Sequence, residues 1–188
     1  MRAESLGRGL VILDRDGVIN HDSAAFIKNE AEWWPIPGSV EAIAALTKAG
    51  FTLAVASNQS GIARGLFDQA ALDRMHAKML GLISKAGGHI SRIVVCPHGP
   101  DDACDCRKPR PGMLVQLARH FDTSLEGVAV IGDALRDLEA AAAVGARPIL
   151  VRTGKGRDTE GALPERFASV PVFNDLAAAA QALIGETD

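Results

Sequence analysis

The chain lacks both a long apolar run and a large excess of charge of one sign. Its 188 residues carry 20 basic and 23 acidic side chains, a net charge of −3, which creates no field that would gather nucleic acid or an acidic membrane. No apolar segment reaches membrane-spanning length, and none of signal-peptide length precedes the charged residues 14–16. We therefore expect a cytoplasmic protein with neither a nucleic-acid nor a membrane partner, and we take it to act as a monomer.

Common nucleotide-binding fingerprints and internal repeats are also missing. There is no G-x-G-x-x-G after the first apolar run and no G-x-x-x-x-G-K-[ST] in the chain, so neither dinucleotide nor P-loop chemistry is supported. We interpret Gly154-Lys155-Gly156 as an ordinary loop. With 47% hydrophobic residues, the chain is long enough for one compact domain over residues 1–188.

Cysteine is scarce, and its placement indicates metal binding. The three cysteines, Cys96, Cys104 and Cys106, lie close together with His98 among them. An odd number of thiols is a poor basis for disulfides, whereas three thiolates and an imidazole make a closed tetrahedral zinc site. The alternative is a set of unrelated thiols in a mobile loop. A closed site would be structural, and zinc bound by the loop 96–106 would position the residues that follow it.

Short apolar runs alternate with helical patterns along the chain. Predicted strands end at Asp14 and span residues 51–56, 90–95, 128–131 and 148–151, with a short edge strand over 170–173. Predicted helices lie between an N-cap at Ser39 and a stop at Gly50, and over 68–85, 113–121, 135–144 and 175–184. This alternation predicts an α/β fold with a central parallel sheet, and such sheets bind ligands at the carboxyl ends of their strands.

Polar residues follow the predicted strands at that edge of the sheet. Asp14 and Asp16 come directly after the first apolar run, and side chains two positions apart on an extended segment point to the same space. Two carboxylates there repel each other unless a hard cation such as Mg²⁺ binds between them. An acidic turn in solvent is the alternative. Ser57 and Asp133 lie at the ends of two further strands.

These strand ends resemble the motifs of the haloacid dehalogenase (HAD) superfamily of phosphatases. Asp14-Arg15-Asp16-Gly17-Val18 resembles its first motif, Ser57 its hydroxyl motif, Lys108 its lysine motif, and the segment from Gly132-Asp133 to Asp137 its acidic motif. The resemblance implies a three-layer Rossmann-like HAD fold. The segments between the motifs are too short for a folded cap domain, so we expect a comparatively open site.

Longer strings narrow the resemblance to one family. Residues 57–65, 96–98 and 104–109 are similar to those of the D-glycero-D-manno-heptose 1,7-bisphosphate 7-phosphatases, and less closely to the histidinol-phosphate phosphatases. The first family acts in bacterial synthesis of ADP- or GDP-heptose precursors for lipopolysaccharide core or S-layer. Two features depart from its pattern: Ala134 replaces a frequent lysine, and the segment between His98 and Cys104 is short.

The chemistry of a phosphatase assigns a role to each motif residue. Phosphoryl transfer to a carboxylate needs an attacking oxygen, charge neutralisation and an acid for the leaving alcohol. We predict that Asp14 is the nucleophile, forming an aspartyl phosphate, and that Asp16 is the general acid and base. Ser57 would bind phosphoryl oxygens, and Lys108 would place a positive charge against the phosphate and Asp14.

Metal and substrate ligands follow from the same comparison. Carboxylates of Asp14 and Asp133 would hold Mg²⁺, with the backbone carbonyl of Asp16 as a third ligand implied by the resemblance, while Asp137 would support that shell. We expect the loops to contact a phosphorylated sugar, with Arg107 pairing with a distal phosphate. The other predicted contacts are Asp22, Ser23, Ala24, Ala25, Asn58, Gln59 and Ser60.

Two other functions remain open from the sequence. Histidinol phosphate could replace the sugar as substrate, or the chain could be a zinc-stabilised binding domain that has lost turnover. Both aspartates of the Asp14–Asp16 pair are present, which argues against a binding module. Trp33 and Trp34 are predicted to cover the core.

Overall fold

Six parallel strands form one central sheet. The computed structural model describes residues 7–186. Residues 1–6 belong to the N-terminal segment in which no signal peptide is expected, and they lie outside the described residues. The sheet order is β3-β2-β1-β4-β5-β6, and every neighbouring pair is parallel. Its strands are β1 (Leu10–Leu13), β2 (Thr52–Asn58), β3 (Arg92–Cys96), β4 (Ala129–Gly132), β5 (Arg147–Val151) and β6 (Val172–Phe173). The predicted α/β fold with a central parallel sheet is confirmed.

Helices cover both faces of this sheet and produce three layers. They are α1 (Ser39–Lys48), α2 (Gln69–Lys85), α3 (Gly112–Phe121), α4 (Leu135–Ala142), α5 (Gly156–Gly161) and α6 (Leu176–Gly185), with a 3₁₀ turn at Glu165–Phe167. Apolar residues of α1, α2 and α6 share one buried cluster, and those of α3 and α4 pack in another. The predicted three-layer arrangement is therefore present.

Alternation along β1 explains why the first strand is apolar throughout. Val11 and Leu13 belong to the cluster with α1 and α2, whereas Leu10 and Ile12 belong to the cluster with α3. Successive side chains of a strand point to opposite faces, so a strand covered on both sides needs an uninterrupted apolar run. The run stops where β1 reaches the carboxyl edge of the sheet, and Asp14 follows.

The segment between β1 and α1 is a loop and contains no folded cap domain. Residues 14–38 contain turns and isolated bridges but no helix or named strand. Within residues 7–186 no inserted domain covers the carboxyl edge of the sheet. None of the helices within residues 7–186 has the length and apolar character needed to cross a membrane.

Some local predictions were wrong. Gly38, at φ 83°, caps α1 instead of Ser39, whose hydroxyl donates to the carbonyl of Ile19 at 2.7 Å. The short edge strand predicted over 170–173 is present as β6, although it has only two residues. The loop assigned to Gly154-Lys155-Gly156 continues into α5.

The tryptophans are divided between core and surface. Trp33 is completely buried, as predicted for a residue that covers the core, but 62% of Trp34 is exposed. The ammonium group of Lys78 lies 4.4 Å from the centre of the Trp34 ring, a cation–π contact that keeps this ring at the surface.

Candidate active site

A buried lysine joins two of the predicted acidic residues at the carboxyl edge of the sheet. The ammonium nitrogen of Lys108 lies 3.0 Å from Asp14 Oδ1 and 2.6 Å from Asp137 Oδ1. It also donates to the carbonyl of Ala56, at 2.7 Å. All three charged side chains are at least 95% buried. Burial raises the pKa of Asp14 to about 6, although the charge of Lys108 opposes this shift.

Asp133 completes a group of three buried carboxylates. Oxygens of Asp14, Asp133 and Asp137 lie within 4.8 Å of one another. Burial, and next the charge of Asp14, raise the pKa of Asp133 to about 7. One of its oxygens accepts the Lys155 N–H at 2.8 Å, and the other is buried without a hydrogen bond among the described residues.

This group fits a hard divalent cation. A cation bound between carboxylates removes their mutual repulsion, and Mg²⁺ prefers oxygen ligands. A Cβ at Gly17 or Gly154 would lie about 2 Å from the same Asp133 oxygen, and both glycines have positive φ values, 83° and 56°. Both positions therefore require glycine, because any side chain would displace the Asp133 carboxylate.

Asp16 has a separate set of partners above this cluster. The Arg15 guanidinium donates to both Asp16 oxygens, at 2.9 and 3.0 Å, and the amides of Asn20 and Gln59 each donate at 2.8 Å. Burial would raise the pKa of Asp16, but Arg15 and these hydrogen bonds bring it below its usual value. These four hydrogen bonds hold the carboxylate in one orientation.

Two residues at the end of β2 form hydrogen bonds with Lys108, which follows the zinc loop, and with Asp16. Asn58 exchanges two hydrogen bonds with the Lys108 backbone, both at 3.0 Å. Gln59 donates to both the Ser57 hydroxyl and Asp16, at 2.8 Å each. Asn58 and Gln59, predicted as substrate contacts, thus also support Lys108 and Asp16.

A cleft of 240 Å³ opens above Asp14 and Asp16. Ser57, Asn58, Gln59, Ser60 and Arg107 line it, as do Asp22, Ser23 and Ala24. Ala25, which was predicted with this group, is exposed and does not line the cleft. Lys108, Asp133 and Asp137 lie beneath the lining.

Several cleft residues were missed from the sequence. Arg15, Arg64, Arg136 and Lys155 all line the cleft. The Lys155 ammonium lies 3.1 Å from Asp22, on the loop that follows β1. The position of Arg15 between two aspartates was a local signal, whereas the others reach the cleft through contacts between distant segments.

The predicted zinc ligands also come together, beside the cleft. Cys96 Sγ lies 3.1 Å from Cys106 Sγ, 3.8 Å from Cys104 Sγ and 3.5 Å from His98 Nδ1. All four ligand atoms are within 4.8 Å of one another. With metal–ligand distances of about 2.0 to 2.3 Å, a tetrahedral zinc ion fits this spacing. Cys96 ends β3, so the sheet anchors one side of this loop.

Comparisons with known proteins agree with this geometry. Residues 105–179 match a family model described as HAD-hydrolase-like. The chain is 59% identical to the D-glycero-β-D-manno-heptose-1,7-bisphosphate 7-phosphatase of Pseudomonas putida, over 93% of this chain and 99% of that protein. The enzyme of the same name from Pseudomonas aeruginosa is 56% identical, over 95% and 99% of the two chains. The chain belongs to this family of heptose-bisphosphate phosphatases.

A solved member of the heptose-bisphosphate phosphatase family has the same fold. The crystal structure of D,D-heptose 1,7-bisphosphate phosphatase from B. bronchiseptica superposes with a TM-score of 0.91 at 53% identity, covering 95% of this chain and 99% of that one. That structure is complexed with magnesium and phosphate. The HAD fold predicted from the motif residues is therefore confirmed.

Proposed function

We propose that this chain is a Mg²⁺-dependent phosphatase that hydrolyses the C7 phosphate of D-glycero-β-D-manno-heptose 1,7-bisphosphate and releases heptose 1-phosphate. The observation that carries the proposal is the Asp14 carboxylate in the floor of the cleft, 3.0 Å from the Lys108 ammonium. The names of the relatives supply the substrate and its β anomer.

Asp14 is the proposed nucleophile. Its Oδ1 pairs with Lys108 and accepts the Arg15 N–H at 2.8 Å, while Oδ2 has no hydrogen bond from residues 7–186. This second oxygen is available to attack phosphorus, forming an aspartyl phosphate as the bond to the C7 oxygen breaks. Lys108 neutralises charge on the phosphoryl group, and Ser57 binds one of its oxygens.

Asp16 is the proposed general acid and base. As a carboxylic acid it gives its proton to the C7 oxygen as that oxygen leaves, and the resulting carboxylate then takes a proton from the water that hydrolyses the aspartyl phosphate, which restores the acid. The Arg15 guanidinium, at 2.9 Å, stabilises the carboxylate that remains after the first transfer.

Both metals have proposed ligands in this chain. Asp14, Asp133 and the Asp16 backbone carbonyl would hold Mg²⁺, with Asp137 holding Lys108 beside them at 2.6 Å; the bound ion supplies positive charge to the phosphoryl oxygens. Cys96, His98, Cys104 and Cys106 would hold a structural zinc, which orders the segment that leads to Arg107 and Lys108.

Sugar recognition is proposed for the loops that line the cleft. Asp22 and Ser23 would bond hydroxyl groups, with Ala24 and Ala25 shaping this loop, and Asn58, Gln59 and Ser60 would face the phosphorylated end. Arg107, which donates to the His98 carbonyl at 3.2 Å, would bind the distal phosphate.

The cellular setting is proposed on the same basis. We propose one domain over residues 1–188, acting as a cytoplasmic monomer in the synthesis of ADP- or GDP-heptose precursors for lipopolysaccharide or S-layer. The shared buried clusters of the helices support a single domain, the small net charge fits a protein without a nucleic-acid or membrane partner, and the names of the relatives suggest the pathway. Sedimentation equilibrium tests the monomer directly.

The test compares phosphate release from both anomers of heptose 1,7-bisphosphate and from histidinol phosphate, with and without Mg²⁺. We expect Mg²⁺-dependent release and a kcat/KM for the β anomer at least about a hundredfold higher than for the others, a preference worth about 2.7 kcal/mol. Asp14→Asn should show no turnover. Preference for histidinol phosphate would contradict heptose 1,7-bisphosphate as the substrate. Absence of phosphate release from all three compounds would favour a binding domain that has lost turnover.

A further inference from the structure

Arg136 lines the cleft without a partner of its own. It lies in the first turn of α4, and no residue in the described range accepts a hydrogen bond from its side chain or forms an ion pair with it. Its Nε is buried and unpaired. A guanidinium group has five donors and stays charged, and leaving a buried donor unpaired costs free energy. An anionic acceptor that binds in the cleft would satisfy it.

The surrounding carboxylates keep Arg136 charged. Burial alone would lower the pKa of Arg136, but Asp137, Asp14 and Asp133 raise it above its usual value. None of these carboxylates forms an ion pair with the guanidinium: Asp14 and Asp137 contact Lys108, and Asp133 accepts the Lys155 N–H. Arg136 is therefore held near the floor of the cleft by charge while its donors remain available.

The other basic side chains that line the cleft already have partners within the protein. Lys155 pairs with Asp22, and Arg107 donates to the His98 carbonyl. Arg64 is exposed, with its guanidinium 5.6 Å from the centre of the Phe26 ring. The phosphate to be cleaved meets Lys108 from beneath, whereas a bisphosphate brings a second dianion into the cleft above that floor.

We propose that Arg136 acts with Arg107 to bind the substrate phosphate that is not hydrolysed, and that Arg136 forms a bidentate pair with it. This assignment rests on the proposed function. It makes Arg136 a residue that distinguishes bisphosphates from monophosphates, and it also predicts that Arg136 contacts the product, because heptose 1-phosphate keeps the same phosphate.

The experiment compares heptose 1,7-bisphosphate with heptose 7-phosphate for Arg136→Gln, Arg136→Lys and a control. For Arg136→Gln we expect kcat/KM on the bisphosphate to fall by about 30-fold, the loss typical of a hydrogen-bonded charge pair. On the 7-phosphate it should fall by less than about threefold, since only a screened charge effect remains. Arg136→Lys should lie between. Arg119→Gln, in an exposed position of α3, should match the parent protein.

Calorimetric binding provides a measurement that needs no turnover. Arg136→Gln should weaken binding of heptose 1-phosphate by about the same factor as its loss of kcat/KM on the bisphosphate, and change binding of inorganic phosphate by less than about threefold. Equal losses on both substrates, or unchanged affinity for heptose 1-phosphate, would overturn the assignment of Arg136. Failure of the parent protein to hydrolyse the bisphosphate would instead contradict the proposed function, so the two failures are distinguishable.

Discussion

Asp14 and Asp16 are two positions apart, yet their environments give them opposite properties. Asp14 is buried among other carboxylates, and its pKa is raised to about 6. Asp16 receives hydrogen bonds from Arg15, Asn20 and Gln59, and its pKa is lowered. The proposed roles need the reverse, an ionised Asp14 and a protonated Asp16. Mg²⁺ bound beside Asp14 would favour its ionised form, and the negative charge of the substrate phosphate would favour the protonated form of Asp16.

Removing the acidity of Asp16 tests this division of roles. We expect Asp16→Asn to lower kcat by about 10² to 10⁴-fold, because a general acid and base contributes this much to catalysis. The asparagine oxygen can still accept from Arg15, so the fold and the affinity for inorganic phosphate should be retained. Steady-state kinetics and phosphate titration measure the two effects.

A matched control variant separates the loss of the general acid from the loss of one negative charge. Asp122→Asn neutralises an exposed aspartate at a left-handed position, φ 49°, which asparagine tolerates well. It should leave kcat unchanged. Unchanged turnover in Asp16→Asn would remove Asp16 from the proposed mechanism.

Elements that depend on local pattern could be predicted from the sequence, and those that depend on distant contacts could not. The apolar run of β1 and the spacing of Cys96, His98, Cys104 and Cys106 are local signals with a direct physical meaning. In contrast, α5 has six residues with glycine at both ends, so its sequence shows no helical periodicity. Arg136 and Lys155 reach the cleft because β4 lies beside β1, and β5 beside β4, in the sheet.

The zinc loop lies between β3 and α3, and loss of zinc should therefore change the cleft. Cys104 lies outside the cleft lining, but Arg107 and Lys108 follow the loop directly. We expect Cys104→Ser to lose zinc, to lower the melting temperature by at least about 5 °C and to reduce kcat/KM. Atomic absorption, thermal unfolding and phosphate release measure these effects.

Asp101→Asn is the control for this loop, because Asp101 is exposed and is not a predicted ligand. It should keep both zinc and activity. A Cys104→Ser protein with full zinc content would contradict the proposed ligand set, and one that lost zinc but kept its melting temperature and activity would contradict the structural role.

The whole molecule holds a cluster of buried carboxylates whose charge opposes folding unless a cation is bound. Asp14 and Asp133 have pKa values of about 6 and about 7, against 3.8 for an ordinary aspartate. Between about pH 4 and pH 7, these two carboxylates therefore bind more protons in the folded protein without Mg²⁺ than in the unfolded chain. Their contribution to the free energy of unfolding falls as the pH rises through this range, whereas that of His76, whose pKa is lowered to about 4 by burial, rises.

Mg²⁺ should reverse this trend, because it binds the ionised carboxylates. In Mg²⁺-free buffer without a chelator, which leaves zinc in place, we expect the stability of the parent protein relative to Asp133→Asn to fall from about pH 4.5 to about pH 7.5. Adding Mg²⁺ should stabilise the protein more at the upper pH than at the lower. Urea unfolding at each pH, with and without Mg²⁺, measures both effects.

Asp133→Asn removes one of the two raised carboxylates and serves as the comparison. In Mg²⁺-free buffer it should gain stability relative to the parent protein as the pH rises, and added Mg²⁺ should stabilise it little. If the parent protein without Mg²⁺ instead gained stability relative to Asp133→Asn as the pH rose, burial would not be raising the pKa of Asp133. If Mg²⁺ stabilised Asp133→Asn as much as the parent protein, the ion would be bound elsewhere.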